Sequence, residues 1–169
     1  EGVALLDITG FSRFEVKGEN SEAWLNQIFA TKLPKPGKAR LGVMLSFSGK
    51  LKGDLTLLNW GDGTYWIMGS YYLRAWHLRW FNEQLRDGVS IRDLGDEMCG
   101  FALIGPKSHS VLEKVAEEDV SNLRFMDCKR LDIGLVRSNV ARMSVTGETG
   151  FEINCKMGDH IALRRTLLE

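Results

Sequence analysis

Two kinds of hydrophobic spacing alternate along the chain. Phe14-Glu15-Val16-Lys17 switches between apolar and polar at every position, the period of a half-buried strand, and stops at Gly18. Over 21–29 the spacing becomes helical, with Ala23, Trp24, Gln27 and Ile28 on one side. The same order returns 87 positions later. Phe101-Ala102-Leu103-Ile104 ends at Gly105 and leads into a helical pattern over 107–115, carried by Val111, Leu112 and Val115. Further strands are predicted at 41–46, 54–59 and 65–68 in the first half, and at 129–132, 135–144 and 151–155 in the second. Another falls at the junction, over 89–94. Helices are predicted at 72–84 and 158–168. Each half thus reads as strand, helix, two or three strands, helix. The fold class is α+β: two ferredoxin-like halves related by internal duplication, about 1–87 and 88–169, within one domain spanning 1–169.

Two segments concentrate candidate chemistry. In Arg142-Met143-Ser144-Val145-Thr146-Gly147-Glu148-Thr149-Gly150-Phe151-Glu152-Ile153, a strand and a Gly-rich turn lead to a second strand that carries one carboxylate. Phe151 and Ile153 alternate with Glu152, so Glu152 points away from the face they bury. The residues alone leave two readings open, a solvent-facing glutamate in a hairpin or a carboxylate with a partner. The other segment is Met44-Leu45-Ser46-Phe47-Ser48-Gly49-Lys50-Leu51-Lys52-Gly53-Asp54-Leu55. Here alternation places Asp54, Thr56 and Leu58 on one face of a strand. Taken by itself, Asp54 is a strand-edge carboxylate beside Lys52, an arrangement worth little to stability.

Both segments resemble signatures of the aminomethyltransferase family. The first is similar to R-x-S-Y-T-G-E-x-G-[FW]-E and the second to M-L-x-x-x-G-x-[VI]-x-x-[DE]-[LI]. That family includes the glycine-cleavage T-protein and the folate domains of dimethylglycine and sarcosine dehydrogenases. The resemblance implies that Asp54 is the catalytic carboxylate and that Glu152 holds the pterin of tetrahydrofolate. One carboxylate can accept hydrogen bonds from a ring N–H and an adjacent exocyclic NH2 together. Leu41, Leu58 and Val145 stand where many members carry tyrosines that pack on the folate. Ile67-Met68-Gly69-Ser70 and Asp7-Ile8-Thr9-Gly10-Phe11-Ser12-Arg13-Phe14 resemble the dehydrogenase branch, which adds Ser70 to the candidate folate-binding residues.

The expected function is to capture the methylene unit of an oxidised N-methyl amine, dimethylglycine or sarcosine, as methylenetetrahydrofolate. The resemblance also implies a flavin dehydrogenase domain in the same longer chain. No FAD fingerprint occurs here, so oxidation belongs to that separate domain. One alternative is a stand-alone aminomethyltransferase or a dimethylsulfoniopropionate demethylase-like methyltransferase. Another is a non-catalytic folate-binding or scaffold module, suggested by the missing tyrosines.

Composition narrows the classes further. With 44% apolar and 26% charged residues the chain is an ordinary globular one. Lys+Arg and Asp+Glu both number 22, so no charge excess points to nucleic acid or an anionic membrane. No apolar run reaches the ~20 residues of a membrane span. Cys99, Cys128 and Cys155 have no metal or disulfide spacing and read as buried thiols in a reducing compartment, the cytoplasm or a mitochondrial matrix. His77, His109 and His160 lack ligand spacing, so no metal is expected, and each reads as a surface or satisfied group. Trp76, Leu78, Trp80 and Phe81 read as the core stripe of a helix. The pattern over 162–169 has no cap or following turn and the first residues lead straight into a strand, so the sequence reads as a fragment truncated at both ends.

Overall fold

The computed structural model describes residues 2–169. Ten strands and four helices follow one another as β1 (Ala4–Asp7), β2 (Ser12–Lys17), α1 (Ser21–Ile28), β3 (Lys38–Leu45), β4 (Leu51–Asn59), β5 (Tyr65–Gly69), α2 (Arg74–Glu83), β6 (Ser90–Asp93), β7 (Met98–Ile104), α3 (Ser108–Val115), β8 (Cys128–Ile133), β9 (Val136–Ala141), β10 (Gly150–Lys156) and α4 (His160–Leu168). Short 3-10 turns, Tyr71–Leu73 and Met157–Asp159, lead into α2 and α4. The strands form two five-stranded antiparallel sheets, ordered β3-β4-β5-β2-β6 and β8-β9-β10-β7-β1. The class is α+β, and each sheet is a ferredoxin-like order with one added edge strand.

The repeat in sequence and the compact unit in space do not coincide. One unit is 11–95; the other joins 2–10 to 96–169. The strand that opens each repeat, β1 or β6, pairs with the first core strand of the other repeat: β1 with β7, and β6 with β2. The compact units therefore divide at 95/96, offset from the sequence repeat near 87/88, and β1 belongs to the later sheet. An equivalent glycine pair closes each strand-to-helix turn. Gly18 and Gly105 both have φ of 126°. The carbonyl of Gly88, ahead of β6, accepts from Asn20 N at 3.2 Å, and that of Gly2, ahead of β1, accepts from Lys107 N at 2.9 Å.

Each unit buries one face of its sheet under two helices. In 11–95 the core joins Phe14, Val16, Leu55, Leu57 and Ile67 to Trp24, Leu25 and Phe81. In the other unit Phe101, Leu103, Phe151 and Ile153 meet Leu112, Leu163 and Leu167. Burial of such side chains contributes about 1.5–3 kcal/mol each. The remaining face is also shielded at the middle strands: Arg13, Leu58 and Met68 in one unit, Ala102, Glu152 and Asn154 in the other, are buried. All three cysteines are buried, and Cys99 Sγ lies 3.4 Å from Cys155 Sγ across paired strands.

One expected element is shorter than predicted. β9 ends at Ala141, not at 144, and 142–149 forms an irregular connection. Arg142 explains the early end. Its backbone N–H donates to Asp127 O, its carbonyl accepts from Met126 N, and its guanidinium donates to the carbonyl of Leu123. These bonds commit Arg142 to the 123–127 loop instead of to β10.

Candidate functional site

Asp54 owes its direction to a bulge. Met44 pairs with Gly53 and Leu45 with Leu51, so Lys52 is an extra residue on β4. Bulges of this kind re-aim the side chains that follow them. Lys52 turns toward α2, where its ammonium lies 4.8 Å from the Trp76 ring and 4.7 Å from the Trp80 ring. Such cation–π contacts contribute about 0.5–2 kcal/mol. Gly53 faces the helix layer, where a Cβ would come within 2.8 Å of His77 Nε2. Asp54 then takes the opposite face and is exposed. Across the ladder Val43 faces Asp54, Leu41 faces Thr56, and Ala39 faces Leu58, so Asp54, Leu41 and Leu58 share that face. Leu41 is 53% exposed, whereas Leu58 is wholly buried. Only Leu41 of this pair presents an open apolar surface beside Asp54.

Ser70 does local work at the end of β5. Its hydroxyl accepts from Tyr72 N at 3.3 Å and caps the turn into α2. Val145 lies in the 142–149 connection and is 69% exposed.

Glu152 lies in mid-strand on β10, between Ala102 of β7 and Ala141 of β9. It is on the face opposite Phe151 and Ile153, as the alternation requires, yet it is only 4% exposed. The solvent-facing reading is thereby overturned. Burying a carboxylate costs several kcal/mol unless partners compensate.

His77 is a buried residue, not the surface or satisfied group expected from the sequence. It projects from α2 beside Phe81, one turn away, and is 1% exposed. Neither ring nitrogen makes a well-formed hydrogen bond among the described residues, and the ring's one polar contact there is a loose one to the Lys52 backbone. The ring stacks on Phe81, with centroids 6.2 Å apart, and meets Trp76 edge-on at 5.3 Å. A buried nitrogen left without a full hydrogen bond costs about 1–3 kcal/mol. Burial drives the imidazole pKa below its ordinary 6.5, opposed in smaller part by the Lys52 backbone and the Asp54 charge. The i, i+4 pairing of His77 with Phe81 was the available signal. The other histidines have acidic partners: His160 Nε2 is 3.1 Å from Asp7, whose carboxyl is pushed up by partial burial but held below its ordinary value by the combined bonds to Thr9 and His160. His109 Nδ1 is 3.3 Å from Glu113. Among the described residues, no group of three His, Cys, Asp or Glu could hold a metal ion, and no helix is long and apolar enough to cross a membrane.

The sequence and its fold match a known family. The GCVT N-terminal domain model matches residues 1–169. The chain belongs to that family. This GCVT N-terminal domain is 30% identical over 166 residues to human mitochondrial dimethylglycine dehydrogenase, covering 95% of the chain and 19% of the relative. It is 29% identical over 168 residues to the aminomethyltransferase of Geobacillus sp. strain WCH70, covering 98% of the chain and 46% of the relative. The chain thus spans about a fifth to a half of these relatives' length. In fold, the domain matches aminomethyltransferase T of the Bartonella henselae glycine cleavage system (TM-score 0.88, 22% identity, 99% of this chain and 45% of that one). It also matches heterotetrameric sarcosine oxidase from Corynebacterium sp. U-96 (TM-score 0.75, 16% identity, 98% and 81%).

Proposed function

We propose that this domain binds tetrahydrofolate and captures on it the one-carbon unit of an oxidised N-methyl amine, dimethylglycine or sarcosine. The observation that carries the reading is the buried carboxylate of Glu152 on a central strand, flanked by alanines. A carboxylate in such a place suits a ligand edge that offers two N–H donors, as a pterin does. Bound folate supplies a nucleophilic nitrogen. Asp54 orients that nitrogen, stabilises the positive charge that develops on it and takes up its proton. Leu41 lends apolar surface beside Asp54. Ser70 serves through its turn, and Val145 covers the ligand from the 142–149 connection. Oxidation of the amine falls to a flavin domain of the same longer protein.

In the complete protein, Asp54→Ala abolishes methylenetetrahydrofolate formation while amine oxidation continues. An unchanged yield in a coupled assay would remove Asp54 from the chemistry. Glu152→Gln keeps the shape but turns one acceptor oxygen into a donor, so calorimetry with tetrahydrofolate shows binding about tenfold or more weaker. Equal affinity would take Glu152 out of the pterin site.

A second reading rests on Leu41 and Val145, which are exposed and carry no hydroxyl. In that reading the domain binds folate without transferring carbon. It is supported if Asp54→Ala leaves both folate affinity and product yield at wild-type values.

A further inference from the structure

A buried imidazole whose nitrogens make no well-formed hydrogen bond is a poor core residue. Its position explains why it is tolerated. His77 touches the backbone of β4 where the bulge ends: Nε2 is 2.8 Å from the point a Gly53 Cβ would occupy, and the Met44 methyl is 3.3 Å from the same point. The next residue is Asp54. The ring therefore props the segment Lys52-Gly53-Asp54 from the helix side while Asp54 faces the other way.

We infer that His77 is a positioning residue for Asp54, kept for the reaction at the expense of the fold. It fixes the bulge that aims the carboxylate, with its ring set against Gly53 and the Lys52 backbone, a polar contact that a hydrocarbon cannot supply. This inference rests on Asp54 being the working carboxylate. The groups facing the ring come from three elements. From β4 there is Lys52, whose ammonium is drawn away onto Trp76 and Trp80; from β3 there is Met44, and from α2 Trp76 and Phe81, none of which titrates, while Asp54 acts from the opposite face of the strand. Asp54 is thus the nearby charge that favours a proton on His77.

His77→Leu and His77→Met remove the buried nitrogens at similar volume. At least one of them melts about 3–6 °C above wild type. Because the imidazole pKa is depressed in the folded state, the unfolded chain takes up a proton that the folded chain refuses as the pH falls below 6.5. The gain is therefore larger at pH 5.5 than at pH 8. In the complete protein both variants lose about ten- to a hundredfold in kcat for one-carbon capture, with the folate KM within about twofold. The acid limb of the capture profile shifts, and adding either change to Asp54→Ala causes no further loss. If both variants melt below wild type, the cost to the fold is refuted. If capture and its pH profile stay at wild-type values while Asp54→Ala is inactive, the positioning role is refuted and the proposed function stands. If Asp54→Ala is itself active, the proposed function fails and this inference with it.

Discussion

The Gly18→Ala protein is expected to melt about 10 °C or more below wild type, or to show no cooperative transition. A Cβ at residue 18 would sit 2.0 Å from Gly88 O and 2.9 Å from Gly88 C, both backbone atoms. The backbone cannot give way cheaply. Gly88 O accepts from Asn20 N, and the following strand, β6, is locked to β2 through four register pairs. The φ of 126° at Gly18 is itself closed to side-chain-bearing residues. Strain of about 1–3 kcal/mol thus adds to a steric conflict, for a total of about 4 kcal/mol or more. Gly63→Ala is the control: its φ of 80° is also positive, but no atom lies within 4 Å of the added methyl. It should lose only about 1 kcal/mol. A Gly18→Ala protein melting within 2 °C of the control, in the same calorimeter, would show that the turn relaxes.

Trp24→Ala is expected to cost about 3–5 kcal/mol in urea unfolding. Trp24 is 1% exposed, packs edge-on to Phe81 at 6.0 Å, and its indole donates to Gln84 O at 2.8 Å. It therefore ties α1 to the carbonyl that ends α2. Trp24→Phe keeps most of the apolar area but strands that carbonyl, and should cost about 1–3 kcal/mol. Equal losses for the two variants would place the whole effect in the hydrogen bond.

The sequence made the repeat legible because glycine marks it. Gly18 and Gly105 end strands at equivalent points, and the helices after them keep the same spacing of 87 positions, Ser21 to Ser108. The face of Asp54, Thr56 and Leu58 was legible by alternation, as was the turning of Glu152 away from Phe151 and Ile153. What lay hidden depends on partners. Alternation says which side a residue faces and nothing about what covers that side, so the burial of Glu152 could not be read. A four-residue strand such as β1 carries no mark of its partner, so the exchange of edge strands was missed. The bulge at Lys52 leaves no residue signature, and without it the close approach of His77 to Gly53 has no cause. The end of β9 at Ala141 came from the hydrogen bonds of Arg142 to 123–127, a contact between segments about 20 positions apart.

The reciprocal edge strands fix an order of assembly. The sheet of 11–95 has all its strands once residue 93 is made, because β6 is its last. The other sheet must reach back past the whole of the first: Ala4 pairs with Ile104, 100 positions later. Its first strand is synthesised earliest and used last. Contacts of that span are slow to form, and an apolar segment such as Val3-Ala4-Leu5-Leu6 without its partner is open to wrong pairing meanwhile. The earlier sheet is made of local strands, while the sheet bearing Glu152 needs strands from both sides of it.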